Sequence, residues 1–225
     1  ISVNTEPEKN AVKTSGVATI ANVAVESPSP NQGLSGAGGF VGRADYGKNS
    51  IYNLSITATE DKRYIGSSAD DSSKLNNVGG CIGYIISGNG SSYWFDSCTF
   101  SGLHIAAKGS YTGGLIGNFT SNDPVSCNNI TVYGLKFDSQ CAGGLFGLVD
   151  RAISVNVTNS KIASSAFLQA SSGCITGVSR GKYHLANVLL DSNTFNSKEQ
   201  QGILIGSVDT GKLDGYELCA AGLSV

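Results

Sequence analysis

The side chains able to do chemistry are few and scattered. Two histidines (His104 and His184), six cysteines and 17 acids are spread over 225 residues. Hydrolysis of a glycosidic bond needs two carboxyl groups facing each other across a sugar. Asp96, Asp138 and Asp191 are the acids best placed to approach one another across stacked units, yet they do not share one repeat position. Carboxylates at turns and corners commonly hydrogen-bond the local backbone, and here that reading outweighs catalysis. With only two histidines, no Ser-His-Asp set can be assigned, and His104, between Leu103 and Ile105, reads as a solvent-facing strand residue. The cysteines are Cys81, Cys98, Cys127, Cys141, Cys174 and Cys219, none in a C-x-x-C pair, which argues against zinc. Cys81 and Cys174 read as small buried apolar residues. Cys98 and Cys127 fall at nearly equivalent places in adjacent units, where a bridge is geometrically possible, although connectivity is not deducible from sequence. These residues call for no catalytic set, no metal and no cofactor.

What must position them is a repeat. "AGGFVG" (37–42), "VGGCIG" (78–83), "TGGLIG" (112–117) and "AGGLFG" (142–147) share two glycines, two apolar residues and a third glycine. Degenerate copies, "GCITG" and "GILIG", start at Gly173 and Gly202. The leading glycines Gly38, Gly79, Gly113, Gly143, Gly173 and Gly202 are separated by 41, 34, 30, 30 and 29 residues. A phosphate-binding loop occurs once, between a strand and a helix, whereas this spacing belongs to an array whose units lean on their neighbours. No copy carries the Lys-Ser/Thr of a P-loop.

Between the glycines lie further corresponding segments, among them "NLSITAT" (53–59), "NITVYGLKFDS" (129–139), "NVTNSKIASS" (156–165), "NVLLDSNTFNS" (187–197) and "LCAAGLSV" (218–225). Tyr52, Leu54, Ile56 and Ala58 alternate with polar residues, the period of a half-buried strand. Ile130 and Val132 alternate, Gly134 breaks the phase, and Leu135 and Phe137 resume it, which reads as a corner. Nothing recurs at helical spacing. The expected fold is all-β: a single parallel, right-handed β-helix of about six coils spanning 1–225, with the apolar pair of each glycine copy facing inward. Glycine suits the sharp bends of such a coil, having no Cβ and a free choice of φ.

The glycine motif resembles the GLUG-type repeat of secreted and cell-surface proteins, including adhesin-like proteins. The resemblance covers Gly38 to about Gly206 and weakens where Cys174 and Ile203 replace the second glycine. It implies a β-helical architecture and a surface or extracellular address, but no particular reaction.

Composition agrees with such a module. Charged residues make up 14% and the formal net charge is −2; no basic run suggests nucleic acid as partner. No apolar stretch approaches the roughly 20 residues a membrane helix needs, so no membrane insertion is expected. Five N-x-S/T sequons, at Asn53, Asn89, Asn118, Asn129 and Asn156, suit an exported protein. Two features are candidates for binding a glycan or a host or cell-surface protein. One is the charged loop at 60–77, with Asp61, Arg63, Tyr64, Asp70 and Asp71; the other is the aromatic cluster of Tyr93, Trp94 and Phe95. The chain starts without Met and stops at "AAGLSV" inside an expected strand, so it reads as part of a longer chain or as a coil covered by another molecule. Other copies of itself or flanking domains are therefore expected partners, through the coil ends. The leading functional expectation is a non-catalytic structural or adhesive module. The alternatives are a carbohydrate-active β-helix enzyme and a glycan- or protein-binding module.

Overall fold

The structure is a computed structural model that describes residues 2–4, 11–13, 18–21, 25–26, 36–45, 48–58, 64–66, 76–87, 90–151, 154–168, 171–196, 200–209 and 218–225. Among these residues there are 28 β-strands and no helix. They form three sheets, of seven, eleven and ten strands, which serve as the walls of a β-solenoid. One turn of chain leaves the third wall at Asn77–Gly79 and crosses the first at Ile82–Ser87. It then follows the second wall through Ser92–Asp96 and Thr99–Ser101, and returns to the third at His104–Gly113. The next turn lies directly alongside, and the pairing is parallel throughout. Thr112 is in register with Val78 and Ala142, Ala142 with Ser172, and Ser172 with Gln201, so four successive turns stack from 78 to 201. The coil count differs slightly from the six expected; at the start of the stack Val78 is also in register with Ala37, and Ser2–Asn4 pairs with the first wall ahead of the first glycine copy.

Stacking turns repetition in sequence into ladders in space. In the three middle glycine copies both apolar residues face in: Cys81 and Ile82, Leu115 and Ile116, and Leu145 and Phe146 are all buried, whereas Phe40 in the first copy is half-buried and Ile203 in the last is exposed. Main-chain bonds hold this column together, with Cys81 N–H donating to Leu115 C=O at 3.0 Å and Leu115 N–H to Leu145 C=O at 3.0 Å. Burying each large apolar side chain contributes about 1.5–3 kcal/mol. On the third wall Phe137, Phe167 and Phe195 occupy one position on three coils, with ring centroids 4.8 Å apart at each step. That spacing matches the 4.7–4.9 Å between neighbouring strands. Each aromatic pair contributes about 0.5–1.5 kcal/mol beyond its buried area. Phe167→Leu keeps an apolar filler but interrupts two stacks, so chemical denaturation should show a loss of about 1–3 kcal/mol with an unchanged denaturant slope.

The glycines work by close approach more than by unusual dihedrals. A Cβ on Gly113 would lie 2.0 Å from Ile116 O and 2.6 Å from Leu145 O, both backbone atoms. The left-handed conformations sit elsewhere, at the corners. Asn53, Ser97, Asn129, Asn159, Asn187 and Gly222 all have positive φ, between 50° and 63°. Their preceding residues Tyr52, Asp96, Asn128, Thr158, Ala186 and Ala221 are in register from coil to coil, so the six form one corner column. Asparagine and glycine tolerate this conformation better than other residues. The corner anticipated at Gly134 is real, with φ 63°, and it shares a second column with Gly102, Ser164 and Ser192.

The corners also correct two alignments. Because Asn53 turns the chain, Ile51 rather than Tyr52 joins Leu54 and Ile56 in the core. The counterpart of Asn53 in the fourth segment is Asn159, not Asn156, because the corner follows Thr158.

Candidate functional site

The outer face of the second wall carries the exposed Trp94, His184 and Cys219. Strand alternation decides which residues reach it. In Ser92–Asp96, Tyr93 and Phe95 are buried while Trp94 is 44% exposed. In Tyr183–Asp191, Tyr183 and Leu185 are buried and His184 is exposed. Register then sets one outward residue per coil into a column: Ser50, Trp94, Ser126, Asn156, His184 and Cys219. Beside it runs the column Tyr52, Asp96, Asn128, Thr158, Ala186 and Ala221, followed by the asparagine corner.

Short polar side chains link successive coils along this face. Asn128 Nδ2 donates to Asp96 Oδ1, and Thr158 Oγ1 donates to Asn128 Oδ1 at 2.8 Å. At the corner Asn129 Nδ2 donates to Ser97 Oγ at 3.1 Å, Asn159 Nδ2 to Asn128 Oδ1 at 2.9 Å, and Asn187 Nδ2 to Asn159 Oδ1 at 3.1 Å. Toward the last strand the side chains shrink to Ala186 and Ala221, and a cavity of about 300 Å³ opens. Asn156, Thr158, His184 and Cys219 line it with those alanines.

The expected site residues divide sharply. Trp94 is outward, between Ser50 and Ser126. Tyr93 is not a surface residue: it is buried, with its ring edge-on to Phe119 at 5.3 Å, because alternation across Trp94 forces it inward. Asp61, Arg63, Asp70 and Asp71 lie outside the described residues, and Tyr64 is described only as the start of the strand Tyr64–Gly66. Among the sequons, Asn53 and Asn129 are exposed at the corner, and Asn156 is half-buried at the cavity. Asn89 lies outside the described residues. Asn118 is buried and donates to Asn77 Oδ1 at 3.0 Å, so it is no acceptor for a glycan in the folded protein.

Cys98 and Cys127 are free thiols, and their places are not equivalent. Cys127 is in register with Phe95, whereas Cys98 precedes the pair Thr99 and Thr131 and so stands beside Ile130. Both are buried, and burial pushes both thiols up; the same holds for Cys81. Burial raises Cys174 to about 12.

The three acids considered for hydrolysis are kept apart. Asp96 precedes the corner on the second wall, Asp191 lies on the same wall beyond that corner, and Asp138 is on the third wall. His104 is half-buried rather than solvent-facing; its Nε2 makes no hydrogen bond, and burial and then neighbouring Lys136 lower its pKa. It is thereby held neutral at neutral pH.

The juxtaposition of His184 and Cys219 escapes the sequence reading, which sets "LCAAGLSV" against a segment starting at Asn187. The true register pairs Leu218 with Tyr183. Gly222 was the available signal: taken as the counterpart of the corner asparagines, it places Cys219 beside His184. Compared with protein families, curated proteins and solved structures, the chain matches none.

Proposed function

We propose that the chain is a non-catalytic structural module of a secreted or cell-surface protein, a rigid β-solenoid that displays its outer walls for adhesion. The glycine repeat, with its resemblance to GLUG-type repeats, is consistent with that address. The observation that carries the reading is how the described carboxylates are used. Asp96 accepts from Asn128 and Ser97. Asp123 accepts from Gly90 N–H at 2.8 Å and from Ser87 Oγ at 3.2 Å. Asp150 and Asp209 flank Arg180, whose Nε donates to Asp209 Oδ2 at 2.8 Å. Asp191 accepts from Ser192 Oγ at 2.7 Å. Most of these contacts join one coil to the next, the use a scaffold makes of charge. Apolar side chains exposed on the final described coil, Ile203, Val208, Leu218 and Leu223, suit contact with further β-structure, whether flanking sequence or a second copy.

A glycan-binding reading has its own support in Trp94, the chain's single tryptophan, standing outward among serines and asparagines. One experiment separates the readings. The folded protein is incubated with acidic, neutral and basic polysaccharides, with and without calcium, while chain ends and tryptophan fluorescence are followed. No new chain ends are expected, and turnover abolished by Asp138→Asn or Asp191→Asn would overturn the non-catalytic reading. A saturable fluorescence change without cleavage, lost in Trp94→Phe together with binding in a pull-down, would establish the glycan-binding one.

A further inference from the structure

Five of the six cysteines are fully or partly shielded, and only Cys219 is exposed. It stands directly in register with His184 on the adjacent parallel strand. Neighbouring strands lie about 4.8 Å apart, so two side chains leaving the same face at paired positions are within reach of each other. Both line the cavity of about 300 Å³, and Asn156 follows His184 in the same column. Ala186 and Ala221 leave the approach to the sulfur open.

We propose that Cys219 and His184 form a reactive thiol–imidazole pair that takes a disulfide as its substrate. The imidazole accepts the thiol proton, and the resulting Sγ thiolate attacks one sulfur of the incoming disulfide. An S–S bond forms between Cys219 and that sulfur, the original S–S bond breaks, and the departing thiolate carries away the electron pair and is protonated. No further oxidant or reductant is needed. The product is the protein with one half of the disulfide attached through Cys219, which gives a wall of this scaffold a covalent attachment point.

Outward neighbours in the pair's column are neutral (Asn156, Ser126), and so are Thr158 and Asn128 in the next column. The described charges nearest these columns are Lys182 at the head of the His184 strand, Lys161 and Asp191 beyond the corner, and Asp96. An ordinary thiol is only a few per cent ionised at neutral pH, and exchange proceeds through the thiolate.

The test uses the folded protein and 5,5′-dithiobis(2-nitrobenzoate), a small aromatic disulfide, at pH values from 6 to 9.5. One thiol should react fast, and the remaining five only after denaturation. Cys219→Ser should abolish the fast phase. His184→Ala should slow it about three- to tenfold at pH 6.5, with the rates converging above about pH 9, where the thiol ionises unaided. His184→Lys, which restores a cation, should recover part of the rate. Both residues point outward, so unchanged thermal midpoints will show that the variants are folded. A dimer joined through Cys219 is the same exchange with the disulfide supplied through a second copy, and its mass separates it from the small-molecule adduct. A fast phase that survives Cys219→Ser, or a pH profile unchanged in His184→Ala, would overturn the proposal.

Discussion

Leu115→Asp should cost the fold about 4 kcal/mol or more and lower the thermal midpoint by roughly 10 °C. Leu115 sits in a column with Cys81 and Leu145, with no exposed surface, and its main chain bonds to both of those coils. A carboxylate there finds apolar neighbours above and below. It must either remain charged without a partner or take up a proton at neutral pH, and both states are expensive. The damage should not stay in one coil, because a solenoid's stability is a sum of nearest-neighbour interfaces and this position belongs to two of them. Circular dichroism during heating is the measurement. A midpoint equal to that of the parent protein would mean that the stacking register is wrong. Protonation adds a sign: the variant should be relatively less impaired at pH 4 than at pH 8, because the neutral acid is easier to bury.

The columns were visible in the sequence wherever two signals coincided. Gly-Gly-apolar-apolar-Gly marks both a close contact and a buried pair, so the first wall and its neighbours could be placed to the residue. Gly134 likewise announced a corner because the alternation changed phase around it. Corners built on asparagine were harder to see. Asn53 and Asn129 read as glycosylation signals, since a corner asparagine followed two positions later by an outward Ser or Thr spells N-x-S/T. Two asparagines close together at 156 and 159 then left the fourth segment open to a slip of three residues, and the last segment, with Gly222 rather than asparagine at its corner, to a slip of four. That ambiguity is why Asn156 was matched to Asn53, and why the pairing of His184 with Cys219 could not be read from the sequence. Tyr93 was misplaced for a related reason: "SSYWF" gives only that the three aromatics alternate, and the partner coil decides which of them face in. Val125 and Cys127 on that coil are buried, which fixes Tyr93 and Phe95 inward and Trp94 outward.

Two glycine substitutions of identical chemistry should have very different consequences. Gly134→Ala places a methyl group at φ 63° with no other atom within 4 Å. The cost is the intrinsic one of holding an L-residue in the left-handed region, about 1–2 kcal/mol, offset by up to about 1 kcal/mol from the stiffer unfolded chain. Ser164 and Ser192 already occupy equivalent corners at φ 53° and 54°, so the fold tolerates a side chain there. Gly113→Ala puts the same methyl 2.0 Å from Ile116 O and 2.6 Å from Leu145 O. Neither oxygen belongs to a flexible side chain. Relief would require moving the turn at 113–116 or separating it from the coil that contains Leu145, and the main-chain bonds from Leu115 N–H and Ile116 N–H to Leu145 C=O resist that. A loss of more than about 3 kcal/mol is expected, in the range of severe overpacking or worse. Heating both variants beside the parent reads the difference, with Gly134→Ala close to the parent and Gly113→Ala far below it. Equal midpoints would mean that the repeated glycines serve only turn geometry. The predicted gap would show instead that they let one coil settle onto the next, which is why this residue recurs once per turn.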